Sequence, residues 1–405
     1  MTLTVLLFVL LYVGMAVGRL PGTAVDRTGL AVVAAVALWL TGTVSPSVLV
    51  ESVDFPTLVV LLSLMLLSAQ FELAGFYGRV AWRLARIEAS GLTLLAVSVA
   101  VCGGLAALLT NDVVVFAVTP VLCRGLLERG LDPRPFVIGI ACAANVGSAA
   151  TLIGNPQNVL IGQVGQLDFW DYSLTAAPIA VIGLVIVTAV VAAVWSRPLR
   201  MAGAVRRSGG DRPPLVDRAP FGKAVLATAL LLLLLATGGS QLTAAMAMGG
   251  FLLLSRKLPT RLLLAKVDWP LLCLFTGLFI VTGAFAGTVW PTRALAALGQ
   301  LGLHPTEPAA LAVISLVGSN SVGNVPLVLL LLTILPAPDS QTLHSLGLLS
   351  TLAGNLLITG SLANIIAVES ARSAGVKVTF REHALCGVPV TLLTMLAAVG
   401  WLELL

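Results

Sequence analysis

The segment "ANVGSAATLIGNPQNVLIGQ" (residues 144–163) is an apolar run broken at its centre by Gly154, Asn155 and Pro156. A second segment, "AGNLLITGSLANIIAVESA" (residues 353–371), is broken in the same way at Gly360 and Ser361. Non-helical backbone is tolerated at membrane depth only where it is buried in protein or lines a wet cavity. If the chain lies in a membrane, these segments predict two discontinuous helices, over 135–165 and 341–371.

The composition indicates that lipid surrounds much of the chain. Hydrophobic residues make up 58% of the 405 residues, charged residues make up 10%, and the mean hydropathy is +1.03. Several runs approach the roughly 20 residues that cross a bilayer as a helix, and no alternating strand pattern is present. The first run, residues 3–18, has no basic residue before it, which favours a retained span over a cleaved signal peptide. We therefore expect an all-α integral membrane protein.

The basic residues give a topology. The apolar segments are 3–20, 28–44, 56–74, 91–127, 135–165, 173–195, 222–238, 241–255, 269–289, 308–336, 341–371 and 383–404. If 91–127 and 308–336 are hairpins that enter and leave on one side, the other ten cross. Of the 23 Lys and Arg, all but Arg293 then fall on one side. Because cytoplasmic loops concentrate these residues, we expect that side, which includes the linker 196–220, to face the cytoplasm. We expect the chain to lie in the cytoplasmic (inner) membrane, with both termini on the outer side.

Charge alone does not establish that the hairpins are re-entrant. A hairpin that does not cross the membrane and a pair of spans that crosses it twice both return the chain to the same side. In the second hairpin, the arms 309–317 and 325–335 are each too short to cross. In the first, the leading arm is long enough to cross. Its re-entrant interpretation therefore depends on its likeness to the second.

Three short motifs occur twice in the same order. "DFPTL" (54–58) corresponds to "DWPLL" (268–272), and each opens the third span of its half. "TND" (110–112) corresponds to "SNS" (319–321), each at a predicted hairpin tip. "GNPQN" (154–158) corresponds to "GSLAN" (360–364), about 40 residues further on.

The order of segments predicts two inverted repeats, because each half has an odd number of crossings. The first repeat is 1–195, with hairpin 91–127 and broken helix 135–165. Residues 196–220 are the cytoplasmic linker, and the second repeat is 221–405, with hairpin 308–336 and broken helix 341–371. Inverted repeats with interrupted spans at matching positions are typical of secondary transporters, whose site lies near the midplane between the repeats.

The polar residues at the tips and breaks form the predicted site. Helix N-termini attract anions, whereas unwound carbonyls with Asn, Ser and Thr oxygens suit Na⁺. The candidate ion- or substrate-binding residues are Thr110, Asn111, Asp112, Ser148, Thr151, Gly154, Asn155, Pro156, Asn158, Ser315, Ser319, Asn320, Ser321, Asn324, Gly360, Ser361 and Asn364. The possible Na⁺ ligands are Asn111, Asp112, Gly154, Ser319, Asn320 and Gly360. Taken singly, each motif could also be an ordinary helix cap or turn.

Asp112 raises a charge question, since every Lys and Arg is assigned to a loop or an interface. An isolated charge at the bilayer centre is costly, so a bound Na⁺, a proton or a wet cavity must stabilise this carboxyl. A neutral Asp capping the second arm is the structural alternative. A divalent anion beside an ionised Asp112 would need at least two or three co-bound cations or protons, whereas a neutral oxyacid, a monovalent anion or Na⁺/H⁺ exchange would need fewer.

Other polar residues are assigned smaller roles. Glu72 and Glu369 are expected at the cytoplasmic interface. Asn145, Asn324 and Asn355 are expected to bond to unwound backbone. The three histidines (His304, His344 and His383) flank the apolar segments and receive no role.

The two halves resemble the ion transporter superfamily that includes arsenite permeases, NhaD-type sodium/proton antiporters and divalent-anion:sodium symporters. The segments 144–163 and 353–371 are similar to those of citrate-transporter-like anion permeases. The resemblance implies re-entrant hairpins that hold cations and substrate at their tips, an elevator-like movement of the hairpin domain, and usually a homodimer with the remaining spans as scaffold.

We therefore expect a secondary transporter that moves a small inorganic or carboxylate anion coupled to Na⁺ or H⁺, with no cofactor beyond possible Na⁺. A Na⁺/H⁺ antiporter and an arsenite-type efflux permease remain alternatives, and a channel is a weaker one. The chain contains no HExxH, no GxSxG and no protease-type pair of intramembrane aspartates, so we expect no enzyme. The basic residues are explained by topology and contact with lipid rather than by a nucleic-acid partner.

Overall fold

The computed structural model describes residues 2–18, 22–201 and 213–405. The described part of the first half contains α1 Thr2–Val17, α2 Arg27–Leu40, α3 Pro46–Ser52, α4 Phe55–Leu73, α5 Phe76–Ala85, α6 Gly91–Leu108, α7 Asn111–Glu128, α8 Arg134–Ser148, α9 Pro156–Val164, α10 Phe169–Val194 and α11 Ser196–Met201. The described part of the second half contains α12 Arg218–Ala236, α13 Gln241–Leu253, α14 Thr260–Leu264, α15 Trp269–Ala286, α16 Trp290–Gln300, α17 Pro308–Val322, α18 Asn324–Ile334, α19 Ser340–Ala353, a 3₁₀ turn Ile358–Gly360, α20 Leu362–Ser373 and α21 Phe380–Leu402.

The series α1–α10 recurs in the same order as α12–α21. The two helices that follow the repeated Asp-Phe/Trp-Pro motif start in the same way. Asp54 accepts a hydrogen bond from the Thr57 N–H at 3.0 Å, and Asp268 accepts one from the Leu271 N–H at 3.0 Å, each with proline in the first turn. An aspartate cap satisfies an orphan N–H, and proline tolerates the first helical turn. The sequence motif therefore encodes the start of α4 and of α15.

Four helices, which we call the scaffold helices (α2, α4, α13 and α15), pack in pairs that each join one half to the other. Helix α2 packs on α15, and α4 packs on α13. Thr28 Oγ1 donates to the Pro270 carbonyl at 3.4 Å, and Ala31 lies against Gly277 further along both helices, so α2 and α15 run parallel. As consecutive spans, α13 and α15 run in opposite directions. On that assignment of spans, α13 is opposed to its counterpart α2, and the inversion of the two repeats stays a prediction.

Both helix–turn–helix hairpins are present, but the second turns later than predicted. The first turns at Leu109–Thr110, directly before Asn111 and Asp112. In the second, Ser319, Asn320 and Ser321 still belong to α17, and the turn lies at Gly323. Gly323 has φ +99°, a backbone conformation that favours glycine. The prediction that Ser319–Ser321 form the tip is therefore corrected, and Asn324 begins the second arm as Asn111 begins the first.

The all-α membrane fold is confirmed. Among the described helices, α4, α6, α10, α12, α15 and α21 are long and apolar enough to cross a bilayer. Helices α1, α2, α13, α17 and α18 are shorter apolar helices. The broken helices appear as α8–α9 and α19–α20, each interrupted at the predicted Gly-containing segment. The division of the chain at 196–220 stays a prediction, and Arg206, Arg207 and Arg212 in it lie outside the described residues.

The contact between α6 and α8 generates a stability prediction. A methyl group added at Gly147 would lie 2.1 Å from the Gly103 carbonyl oxygen, so Gly147→Ala must force the two backbones apart. We expect a loss of about 1–3 kcal/mol and a lower thermal unfolding temperature in detergent. Gly104→Ala is the control, because nothing lies within 4 Å of the added group. Equal unfolding temperatures for the two variants would contradict this packing.

Candidate functional site

The two unwound segments meet the two hairpins at one place. The Asn111 N–H donates to the Gly154 carbonyl at 3.0 Å, which fixes the first tip to the first break. In the second hairpin, Asn320 Nδ2 donates to the Ala353 carbonyl at 2.9 Å. Its Oδ1 lies so near Gly360 that a methyl group there would be 2.3 Å away. The first tip and the last turn of α17 therefore lie against the breaks, in surroundings where only glycine fits at position 360.

Asn145, at the end of α8, binds the second repeat. Its Oδ1 accepts from Ser361 Oγ at 2.9 Å and from Asn111 Nδ2 at 3.2 Å. Its Nδ2 donates to Asn355 Oδ1 at 2.8 Å and to Asn364 Oδ1 at 3.2 Å. Asn145 is buried, and one side chain thus joins the first tip, its own α8 and the second break.

Thr351, at the end of α19, bonds in the same way to side chains at the break of the first repeat. Its hydroxyl accepts from Asn155 Nδ2 at 3.3 Å and from Gln157 Nε2 at 3.1 Å, and it donates to Asn158 Oδ1 at 3.3 Å. Superimposing "GNPQN" on "GSLAN" places Thr351 at the position of Asn145, Ser361 at that of Asn155 and Asn364 at that of Asn158. Each repeat therefore supplies the polar side chain that holds the break of the other.

The last span of each half also bonds to unwound backbone. Tyr172 on α10 donates to the Ala149 carbonyl at 3.0 Å and accepts from Asn158 Nδ2 at 3.0 Å. His383 on α21 occupies the equivalent place, with Nε2 3.2 Å from the Asn355 carbonyl, which can only accept. His383 and His344 lie buried within helices, so their placement outside the apolar segments was wrong.

The remaining predicted residues divide into two groups. Ser148 Oγ donates to the Asn145 carbonyl, Thr151 Oγ1 donates to the Ala107 carbonyl, and Ser319 Oγ donates to the Ser350 carbonyl. Pro156 opens α9 beside them, and Thr110 bonds to Ser68. Ser321 is exposed and donates to Val317 of its own helix, so the structure does not bring it to the others.

A cavity of about 500 Å³ leads to these groups. Its wall includes Asn111, Asp112, Asn324, Gly360 and Ser361 from the tips and breaks. It also includes the end of α1 and the starts of α2 and α15, which lie on the predicted cytoplasmic side. In this conformation the candidate site is therefore open toward the side with the basic loops.

Four charged side chains line the cavity. Asp26, Asp112 and Asp268 line it together with Arg27, so three negative charges and one positive charge give −2 when all are ionised. Arg27 lines the same cavity as Asp112 from the first residue of α2, which lies at the predicted cytoplasmic interface to which the sequence assigned this arginine.

Known proteins match nearly the whole chain. The sequence pattern of the citrate transporter family matches residues 8–347. The chain belongs to this family. It is therefore a multi-pass membrane transporter, as the resemblance implied.

Individual members of the superfamily agree with that assignment. The chain is 28% identical to a 46 kDa membrane protein of Mycobacterium leprae (strain TN), covering 98% of this chain and 96% of the relative. It is 27% identical to the silicon efflux transporter LSI3 of Oryza sativa subsp. japonica, covering 94% and 92%. The crystal structure of the YdaH transporter of Alcanivorax borkumensis has a similar fold, with a TM-score of 0.58 at 14% identity over 99% and 96% of the two chains.

The exchange of hydrogen bonds between repeats generates a second prediction. Asn145→Ala leaves the amide oxygens of Asn355 and Asn364 without this donor, and each unsatisfied buried group costs about 1–3 kcal/mol. We expect a lower unfolding temperature for the purified transporter. Thr188→Ala is the control, since Thr188 bonds only to Leu184 of its own helix. If both variants unfold at the same temperature, Asn145 does not hold the two breaks together.

Proposed function

We propose that the chain is a secondary active transporter for a small oxyacid or carboxylate, and that Asp112 carries the coupling proton or cation. One observation supports this most strongly. Asp112 lies at the tip of the first hairpin, inside a cavity that reaches both breaks and whose carboxylates outnumber its one guanidinium. A membrane carboxyl in a wet cavity is a typical position for a proton or ion relay.

The balance of charge limits the substrate. The family suggests an anionic substrate, but a multiply charged anion would be repelled by a cavity with a formal charge of −2. Such an anion requires protons or cations bound with it. A neutral oxyacid or a monovalent anion requires fewer, and the relative named as a silicon efflux transporter is consistent with a small oxyacid.

A cation site fits best at the second hairpin. The buried oxygens Ser315 Oγ, Asn320 Oδ1, Asn324 Oδ1 and Ser350 Oγ have no hydrogen-bond partner among the described residues. Asn320 and Asn324 flank the turn of that hairpin, and Asn324 also lies against Gly354. Neutral oxygens with free lone pairs are the ligands that a hard cation such as Na⁺ prefers. Such a cation would partly offset the negative cavity.

We propose that the hairpins and broken helices move together against the scaffold helices. The hydrogen bonds of Asn145 and Thr351 hold both breaks and the first tip in one unit. The scaffold helices are joined through close contacts of their own, such as Gly249 against Ser63 and Gly277 against Ala31. This division supports an elevator-like movement of one rigid unit.

The location and assembly follow from the same proposal. The basic residues support an inner-membrane protein with both termini outside and the linker 196–220 in the cytoplasm. Exposed apolar side chains on α2, such as Val33, Trp39 and Leu40, offer surface for lipid or for a second copy in a homodimer.

A Na⁺/H⁺ antiporter is the second candidate, favoured by the three carboxylates around the cavity. Such an exchanger moves protons against Na⁺ without any added anion. Proton flux in proteoliposomes that contain only Na⁺ and an impermeant anion separates this cycle from oxyacid or carboxylate transport.

Replacing the coupling group gives the third prediction. We expect Asp112→Asn to fold normally but to lose the pH dependence or Na⁺ dependence of uptake, because an amide binds neither a proton nor a cation as a carboxylate does. Uptake into proteoliposomes at several pH and Na⁺ values measures this. Glu403→Gln, an exposed carboxyl at the end of α21, is the control. Unchanged pH and Na⁺ profiles in Asp112→Asn would eliminate the coupling role.

Ligand stabilisation gives the fourth prediction. A ligand at 100 times its Kd stabilises a protein by about 2.7 kcal/mol, so the substrate should raise the unfolding temperature. The panel contains carboxylates, arsenite, silicic acid, sulfate and phosphate, each with and without Na⁺. We expect stabilisation by a small oxyacid or carboxylate, with Asn324→Ala reducing any effect of Na⁺. Stabilisation by sulfate alone, a divalent anion at neutral pH, would contradict the charge argument.

A further inference from the structure

On the side of the protein opposite the cavity, two buried glutamines connect α13 to the broken helix of the first repeat. Gln241, the first residue of α13, donates from Nε2 to the Leu152 carbonyl in the first break at 3.2 Å. Its Oε1 accepts from Gln163 Nε2 on α9 at 2.8 Å. All three residues are buried. We call Gln241 and Gln163 the glutamine gate, because they join a scaffold helix to the broken helix of the first repeat.

The internal repeat identifies the counterparts of this gate on the open side. Arg27 is the first residue of α2 and follows a capping side chain, Asp26, as Gln241 follows Ser240. Superimposing "GNPQNVLIGQ" (154–163) on "GSLANIIAVE" (360–369) places Glu369 at the position of Gln163. The same superposition places Ile358 at the position of Leu152.

Arg27 and Glu369 are not paired with each other in the present conformation. Arg27 lines one part of the cavity wall, where its Nε donates to the Met15 carbonyl at 3.0 Å. Leu362 and Ile365 of α20 line another part. Glu369 lies one helical turn beyond Ile365 on the same helix. Its side chain is exposed, and among the described residues that side chain makes neither a hydrogen bond nor an ion pair.

We propose that Arg27 and Glu369 form an ionic gate that closes the cytoplasmic side when the glutamine gate opens. In that state Arg27 pairs with the Glu369 carboxylate and donates to the Ile358 carbonyl, as Gln241 now does with Gln163 and Leu152. The inference deepens the proposed alternating access and rests on it. The other charged groups on this face of the cavity are Asp26, Asp112 and Asp268, and Arg27 leaves them when it turns to Glu369.

Electron–electron distance measurements on spin labels test the gate without a known substrate. All five native cysteines are first replaced by serine or alanine. Labels on Thr23 and Ser373 then report the cytoplasmic side, and labels on Val164 and Thr243 report the opposite side. These four residues are exposed, and none of them is a gate residue. We expect two populations of label–label distances at each pair. The fraction of molecules with the short distance at the cytoplasmic pair should equal the fraction with the long distance at the opposite pair.

Charge variants then show whether Arg27 and Glu369 hold the second state. A partly exposed ion pair shifts an equilibrium by up to roughly fivefold, so Arg27→Gln and Glu369→Gln should each lower the population of the cytoplasm-closed state by about that factor. The swap Arg27→Glu with Glu369→Arg should restore it. Glu72→Gln is the matched control, because Glu72 pairs with Lys266 at 2.6 Å on the same side but within the scaffold.

The outcomes are separable. If two states are present and neither single variant changes their ratio, or if Glu72→Gln changes it equally, the gate is overturned while alternating access stands. If the labels show one state under every condition, the absence of alternation overturns both the gate and the proposed transport cycle. A loss in the single variants that the swap rescues supports the gate.

Discussion

The structure depends on one constraint, which is that unwound backbone at membrane depth must find its hydrogen-bond partners inside the protein. Each break meets this constraint with an amide of its own repeat, since Asn158 donates to the Ser148 and Thr151 carbonyls and Asn364 donates to the Gly354 and Leu357 carbonyls. Asn145 bonds to Ser361 and Asn364, and Thr351 bonds to Asn155 and Asn158. The side chains at each break are therefore held in place by a group of the other repeat. The candidate site lies between the repeats because its polar side chains are bonded across them.

The sequence predicted those parts of the fold that depend on local chemistry. Glycine and proline in an apolar run mark the breaks, and the aspartate–proline motifs mark the starts of α4 and α15. The turn of the second hairpin was misplaced because "SNS" was matched to "TND" by composition, whereas the glycine conformation at residue 323 determines the turn. Thr351 and His383 were missed since their partners are more than 25 positions away. Extending the alignment of the two breaks to their flanking helices would have indicated Thr351.

The two repeats have the same order of helices but differ in the polar side chains at their hairpin tips. The first hairpin begins its second arm with Asn111-Asp112, and the second begins with Asn324-Val325. Charge is therefore concentrated at one tip, while the other offers neutral buried oxygens. In the proposed cycle this difference separates proton exchange from cation binding, because a carboxyl can exchange a proton whereas neutral oxygens can only coordinate a cation. A site built from identical tips could not divide the tasks in this way.

The position of Asp268 shows how the proposed movement depends on occupancy. Asp112 belongs to the hairpin unit, whereas Asp268 caps a scaffold helix, and both line the cavity in the cytoplasm-open state. Two ionised carboxylates in one cavity repel each other, and a proton or cation on one of them removes that repulsion. In the proposed movement, Asp112 leaves Asp268 behind and Arg27 turns to Glu369. The repulsion from Asp268 therefore acts on an ionised, empty Asp112 only in the cytoplasm-open state, so the proposed cycle links the direction of movement to whether the coupling ion is bound.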